Sequence, residues 1–228
     1  MSDDTTAGDA SAVAADGTVV EIYRRLPSLG ELEHIRSLLR PNSSVLDLGA
    51  GTGRVADPLA QLGHRVVAVD DSPDMLANVR YARKVQARIE DLRLAEKFDA
   101  VLLIGNMVNY LGTSLRRSVL ATVAFHVAPS GQAIIQWAPP SLLAARPAGW
   151  AQTTTIGAVT TTLTIQSNRD GVCQGEFTLA ADGRLWRQPV TMEQVSPEAL
   201  RAELARAGLV LTTADPDATP WLHATPRP

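Results

Sequence analysis

The sequence predicts an α/β fold, a parallel sheet with helices on both faces, carrying an antiparallel β insertion near the C-terminus. Three observations predict it. Strand-like apolar runs alternate with helix-like segments from about residue 28 to residue 137. One run, FDAVLLI over 98–104, is apolar throughout but for Asp99 near its start, as a strand covered on both faces requires. Over 153–188 the chain turns rich in Thr and Val, with turn signals NRDG at 168–171 and ADG at 181–183, which reads as antiparallel hairpins.

Taken in order, Ser28 stands three residues before Glu31, the spacing of a capping box, and Leu32, Ile35, Leu38 and Leu39 follow at helical spacing. Pro41-Asn42 stops that helix. A strand over 45–48, a helix over 54–62 ended by Gly63 and a strand over 66–69 come next. Ser72 and Pro73 supply the N-cap and first position of another helix. A short strand candidate covers 85–89, a strand 98–104, a helix about 114–127 and a strand 132–137. Ser196-Pro197 opens a last helix to about Ala207, and 209–213 reads as a closing strand.

Composition narrows the function classes. The 228 residues are 45% hydrophobic and 20% charged, which is globular, and a net charge of −3 gives no basic face for nucleic acid. No apolar run approaches the roughly 20 residues of a membrane span. The single cysteine, Cys173, forms no disulfide within the chain, and no residues show metal-ligand spacing, so a reducing cytoplasm and no metal are expected. Residues 1–17 are acidic, rich in Ala and Thr, and unlike a secretion signal; they are expected to be disordered.

The chemistry concentrates in VLDLGAGTGR, residues 45–54. Glycines 49, 51 and 53 end a buried strand and lead into a helix, the place where an open α/β sheet holds its ligand. Asp70 ends the next strand about 20 residues on, where a carboxylate accepts hydrogen bonds from ribose hydroxyls. Two ligands meet these requirements. The run Gly51 to Ala56 satisfies the relaxed G-x-G-x-x-A form of a dinucleotide site, and S-adenosylmethionine needs no pyrophosphate cradle.

The wider pattern resembles class I S-adenosylmethionine-dependent methyltransferases, whose sheet is Rossmann-like. Asp47 to Gly53 resembles the family's D/E-x-G-x-G-x-G motif, and Val69 to Leu76 its second motif. Ile89 to Leu92 is similar to the segment beside the adenine, and Phe98 through Asn109 to the fourth-strand motif. By resemblance, Asp47, Gly49, Ala50, Gly51 and Thr52 would form the cofactor loop. Asp70, with Asp71 beside it, would hold the ribose. Met75, Ile89 and Glu90 would border the adenine, and Ile104 with Asn106 would close the sulfonium side. Tyr23 resembles the lid tyrosine of glycine N-methyltransferase-like enzymes. Arg88 departs from the pattern, standing where many relatives carry an acid.

On that reading residues 18–228 form the methyltransferase domain, with a lid helix region over 18–43, a cofactor-binding core over 44–138 and antiparallel cap strands over 151–193. The cap would cover the site or pair two subunits as a homodimer. Asn109, Tyr110 and Trp137 are candidates to face a small-molecule acceptor; a loop-capping role for Asn109 and core packing for Trp137 are the alternatives. His34 falls on a polar helix face, His64 starts a strand, and His223 lies in the tail. His126 falls near a helix C-terminus, where the dipole favours an imidazolium. No catalytic base stands out. The expected function is methyl transfer from S-adenosylmethionine, leaving S-adenosylhomocysteine, to nitrogen or oxygen of a small organic acceptor, and the composition suits bacterial biosynthesis. A nicotinamide oxidoreductase and a non-catalytic module keeping the pocket are the competing readings.

Overall fold

The computed structural model describes residues 13, 19–110 and 112–227. The tail expected over 1–17 lies, Val13 apart, outside the described residues. The elements run α1 (Val20–Arg25), α2 (Glu31–Leu38), β1 (Ser44–Leu48), α3 (Ala56–Gln61), β2 (Arg65–Asp70), α4 (Pro73–Leu76) and β3 (Arg83–Gln86). They continue with β4 (Phe98–Leu103), α5 (Met107–Tyr110), α6 (Gly112–His126), β5 (Val127–Gln136) and α7 (Pro140–Ala144). Four cap strands follow: β6 (Ala151–Ile156), β7 (Val159–Arg169), β8 (Val172–Ala181) and β9 (Arg184–Glu193). The chain ends with α8 (Pro197–Ala207), β10 (Leu209–Leu211) and β11 (Trp221–Pro226).

Seven strands form one sheet in the order β10-β11-β5-β4-β1-β2-β3. The pairs β1–β2, β1–β4, β2–β3 and β4–β5 are parallel, while β11 runs antiparallel to both β5 and β10. Strand order therefore reverses between β1 and β4, which opens a crevice at their carboxyl ends. The two-residue period of a strand explains how this sheet is covered twice. Leu46, Leu48, Val67, Val69, Val101 and Leu103 turn to α6 and α8. Their neighbours Val45, Val66, Ala68, Ala100 and Leu102 turn to Ile35 of α2 and Leu59 of α3. A strand buried on both faces must be apolar at every position, as 98–104 nearly is.

The cap is a separate sheet in the order β6-β7-β8-β9. Its two Asp-Gly turns have both residues left-handed, Asp170 at φ 55° with Gly171 at 74°, and Asp182 at 52° with Gly183 at 72°. That is the requirement of a type I′ hairpin, whose twist matches the strands it joins. One cap face buries Leu179 and Trp186 against Ile22 of α1, and Cys173 and Met192 against Leu143. The other face carries the threonines, with Thr153 bonded to Thr162 (2.9 Å) and Thr155 to Thr160 (3.0 Å). Among the described residues no helix is long and apolar enough to cross a membrane.

Four expectations need correction. The N-cap of α2 is Gly30, at φ 102°; the Ser28 hydroxyl reaches the Leu32 amide only at 3.5 Å. The strand expected over 85–89 is β3, after which Ile89–Asp91 form a single 3-10 turn that brings Ile89 inward. Strand β5 starts directly after His126, five residues before the expected 132–137 run. Finally, β11 was not anticipated, and His223 lies within it. Prolines at 220, 226 and 228 disguise the segment as a tail, and only its place between β5 and β10 makes it a strand.

Candidate functional site

Where β1 ends, the amides of Gly49 and Ala50 both donate to the Val69 carbonyl, at 2.9 and 2.8 Å, which staples the loop to the end of β2. Gly49 (φ 72°), Gly51 (φ 55°) and Gly53 (φ 83°) are all left-handed, a conformation that side chains resist. Gly49 has a second reason to be glycine, since a Cβ there would sit 2.8 Å from Met107 Sδ. A Cβ on Gly51 would meet only Met75 Sδ, at 4.0 Å, so the loop is open above that residue.

The Asp70 carboxylate spans the crevice. Its Oδ2 accepts from the Gly51 amide (2.8 Å) and its Oδ1 from the Ser72 amide (3.0 Å). These two amides fix the orientation of the carboxylate in the crevice. Ser72 also caps α4 through the Met75 amide, at 3.3 Å. Asp47 is buried, and its pKa is pushed up to about 7 by that burial, against the pull of Arg54 and with the charge of Asp70 adding.

The same loop fastens the N-terminal helices. Thr52 Oγ1 donates to the Tyr23 carbonyl of α1 at 2.9 Å, and Arg54 pairs with buried Glu31 at 2.9 Å. Burial alone would raise the Glu31 pKa, but the Arg54 guanidinium wins and holds it down. Met75, Ile89 and Ile104 supply buried apolar surface around the loop, whereas Asp71 is exposed. Half-buried Glu90 accepts from Arg88 Nε at 2.7 Å, so the residue that departs from the motif neutralises its acid. Asn106 is left-handed at φ 59° and its carbonyl accepts from the Asn109 amide at 2.8 Å. Tyr23, residues 49–52, Asp70, Met75 and Ile89 thus converge on one crevice.

Two residues expected to face the acceptor turn inward. Asn109 is fully buried and spent on backbone: its Oδ1 accepts from the Ala138 amide (2.8 Å), and its Nδ2 donates to the carbonyls of Ala138 and Glu193, each at 3.0 Å. It ties the loop after β4 to the end of β9, which is the capping alternative. Trp137 is also fully buried, and its Nε1 donates to the Thr219 carbonyl at 2.8 Å, so it is core. Tyr110, at the end of α5, is 43% exposed as a residue, while desolvation of its hydroxyl, then the neighbouring Tyr23, push its phenol pKa above the usual value.

The histidines are structural. His126 is not an imidazolium: its Nε2 accepts from the Leu94 amide (3.0 Å) and its Nδ1 meets the Thr122 carbonyl (2.8 Å), a pattern only the neutral ring satisfies. Burial lowers its pKa accordingly. His34 stacks on Trp221 at 4.2 Å, away from the polar side expected. Sequence reasoning missed Arg116, a buried cation bonded to Glu203 (2.8 Å), Glu193 (3.1 Å) and the Val108 carbonyl (2.7 Å), which fixes the end of the same loop. It also missed Met107, whose only signal is its place within the fourth-strand motif, just after the strand itself.

Residues 45–131 match a methyltransferase-domain family. A cypemycin N-terminal methyltransferase from a Streptomyces species is 34% identical over 141 residues, covering 55% of this chain and 57% of that protein. The chain thus spans little more than half the length of that curated relative. Among solved structures, the CcbJ methyltransferase of Streptomyces caelestis has a TM-score of 0.74 at 20% identity, over 92% of this chain and 96% of that one. CalS10 of Micromonospora echinaspora, an amino pentose methyltransferase of calicheamicin biosynthesis solved with S-adenosylmethionine bound, has a TM-score of 0.69 at 22% identity, over 90% and 94%. At such identities these structures establish the fold. The glycine crevice falls within the 45–131 segment that matches a methyltransferase-domain family, and the chain shares the fold of these methyltransferase structures.

Proposed function

We propose that the protein transfers the methyl group of S-adenosylmethionine to a small organic acceptor at nitrogen or oxygen, nitrogen first. The observation that carries this reading is the Asp70 carboxylate, held by the Gly51 and Ser72 amides at the carboxyl end of β2, with an open face over Gly51. The residues present fit the cofactor. The 49–52 backbone would lie along its methionine and ribose, with Asp47 beneath. Asp70, beside Asp71, would accept from the ribose hydroxyls, and Met75, Ile89 and Glu90 would border the adenine. Ile104 and Asn106 would close the sulfonium side, under the Tyr23 lid. When bound, the cofactor supplies an electrophilic methyl group on a sulfonium.

The protein's own contribution is alignment and the exclusion of water. The bond from Thr52 to the Tyr23 carbonyl, which fastens α1 to the loop, supports a lid role for Tyr23, and Tyr110 would approach the acceptor from the loop after β4. An alkylamine of pKa near 10 is neutral in only about one part in a thousand at pH 7, a deficit of roughly 4 kcal/mol that a desolvating pocket can offset. Nitrogen comes first because two of the relatives are named for amine acceptors, an N-terminus and an amino pentose. A reducing, cytoplasmic location goes with the single buried thiol, Cys173.

Calorimetry with S-adenosylmethionine, S-adenosylhomocysteine and NAD(H) tests the pocket. Micromolar binding of the first two is expected. A charged acceptor contributes about 1.5–3 kcal/mol, so Asp70→Ala weakens binding roughly 10- to 150-fold. Binding of NAD(H) alone would sink the proposal. Methyl transfer from labelled cofactor to a panel of amines and phenols then identifies the acceptor atom.

A further inference from the structure

We infer that Arg146 is the anion-recognising group of the acceptor site, so that the methyl acceptor carries a carboxylate or phosphate that this guanidinium binds. The inference rests on the methyltransferase reading above and names its substrate class.

Arg146 sits in the link between α7 and the cap, and its backbone is held rigidly. Its amide donates to the Leu143 carbonyl (3.0 Å), and its carbonyl accepts from Asn168 Nδ2 (3.0 Å). Asn168 Oδ1 is fixed in turn by Gln194 Nε2 at 2.8 Å. Bonds between Gly149 and Ile165 and between Ile165 and Trp150, each of 2.8 Å, seat the link on β7. The guanidinium carbon lies 4.7 Å from the centre of the Trp150 ring, which favours a cation at that spot.

The side chain is anomalous in this protein. Arg54 and Arg116, two cations with largely buried side chains, are each paired with a buried carboxylate, Glu31 and Glu203. Among the described residues Arg146 has no carboxylate partner, and its Nε is buried without a hydrogen bond. Arg146 is half-buried, and a guanidinium whose Nε is shielded from water without a partner is unfavourable unless something else supplies a hydrogen-bond acceptor. Its electrostatic neighbours are Tyr110 and Cys173, and Tyr110 in turn senses Tyr23 of the lid. Trp150 packs with Ala138 and Cys173, and Ala138 is bonded to Asn109 beside Tyr110, so the guanidinium over Trp150 lies between the loop after β4 and the cap, the side assigned here to the acceptor. An oxyanion on the acceptor would supply the missing charge and take the planar fork in two hydrogen bonds, while a tyrosine hydroxyl offers a third donor.

The test uses inorganic phosphate and acetate as probes, titrated against chloride at constant ionic strength. Calorimetry and tryptophan fluorescence follow binding to the full chain, both free and loaded with S-adenosylhomocysteine. Saturable binding is expected, tighter for phosphate if the acceptor is phosphorylated and tighter for acetate if it is a carboxylate. Arg146→Gln weakens it at least tenfold, Arg146→Lys recovers part, and both variants keep the wild-type thermal midpoint and affinity for S-adenosylhomocysteine. Two results would overturn the inference: a wild-type chain that holds S-adenosylhomocysteine but neither anion, or anion binding unchanged in Arg146→Gln. Failure to hold S-adenosylhomocysteine at all would overturn the methyltransferase reading instead.

Discussion

At the scale of single residues, two buried titrating groups oppose each other across the pH range. Asp47 has a folded pKa of about 7 against an ordinary 3.8, so the stability it contributes is full below 3.8 and is lost as pH rises through 7. Asp47→Asn stays neutral throughout, and its melting temperature relative to wild type is expected to rise steadily between pH 4 and pH 8. A constant difference would mean that Asp47 is already ionised in the fold. His126 acts the other way. Its pKa is lowered from 6.5, so its stability is present above 6.5 and lost as pH falls through the depressed value. In thermal melts His126→Leu should lose about 1–3 kcal/mol at pH 7, because the Leu94 amide loses its acceptor, yet fall less steeply than wild type toward pH 5. Gly49→Ala, forced into left-handed backbone against Met107, should be destabilised by about 1–2 kcal/mol or more, read from urea midpoints. The glycines and Asp70 could be read from sequence because they answer to local backbone geometry. The inward turn of Asn109 could not, since its partners, Ala138 and Glu193, belong to distant parts of the chain.

Among elements, α6, α8 and the end of β9 are joined by one buried ionic cluster around Arg116. Removing one partner of a buried pair strands the other charge, which costs about 3–5 kcal/mol, whereas replacing both by apolar groups is often neutral. Arg116→Met is therefore expected to lower stability by that amount in urea unfolding, and the double variant Arg116→Met with Glu203→Leu to recover most of it. If the losses simply added, the two side chains would not be coupled. The elements themselves were foreseen wherever turn chemistry and period agree, as in the Asp-Gly hairpins of the cap and the apolar run of β4. They were missed where pairing alone creates the strand, as in β11, and misplaced where a helix passes into a strand without a break, as at His126.

For the whole molecule, β11 completes the central sheet. Leu222 and Ala224 are fully buried on it, and the segment before it receives the Trp137 amide and indole N–H through Pro220 and Thr219. A chain ended after Asp215 would leave β10 unpaired and one edge of β5 bare, with the core open. It is expected to lose its cooperative melt and its near-UV tryptophan signal. A truncated chain that melts sharply and still binds S-adenosylhomocysteine would show that β11 is dispensable.

By itself the sequence determined the alternation of strands and helices, the change to hairpins, and the glycine loop with its acid on the next strand. These depend on short-range constraints: a two-residue period, a φ angle that only glycine takes easily, an amide that needs an acceptor nearby. Only the tertiary structure decided that Asn109 and Trp137 belong to the interior, that the 221–226 segment is a strand, and that Arg146 Nε is buried without a hydrogen bond among the described residues. Each of those depends on which distant residue packs against it, and side-chain direction and charge compensation are properties of the packed molecule and not of neighbouring residues in the chain.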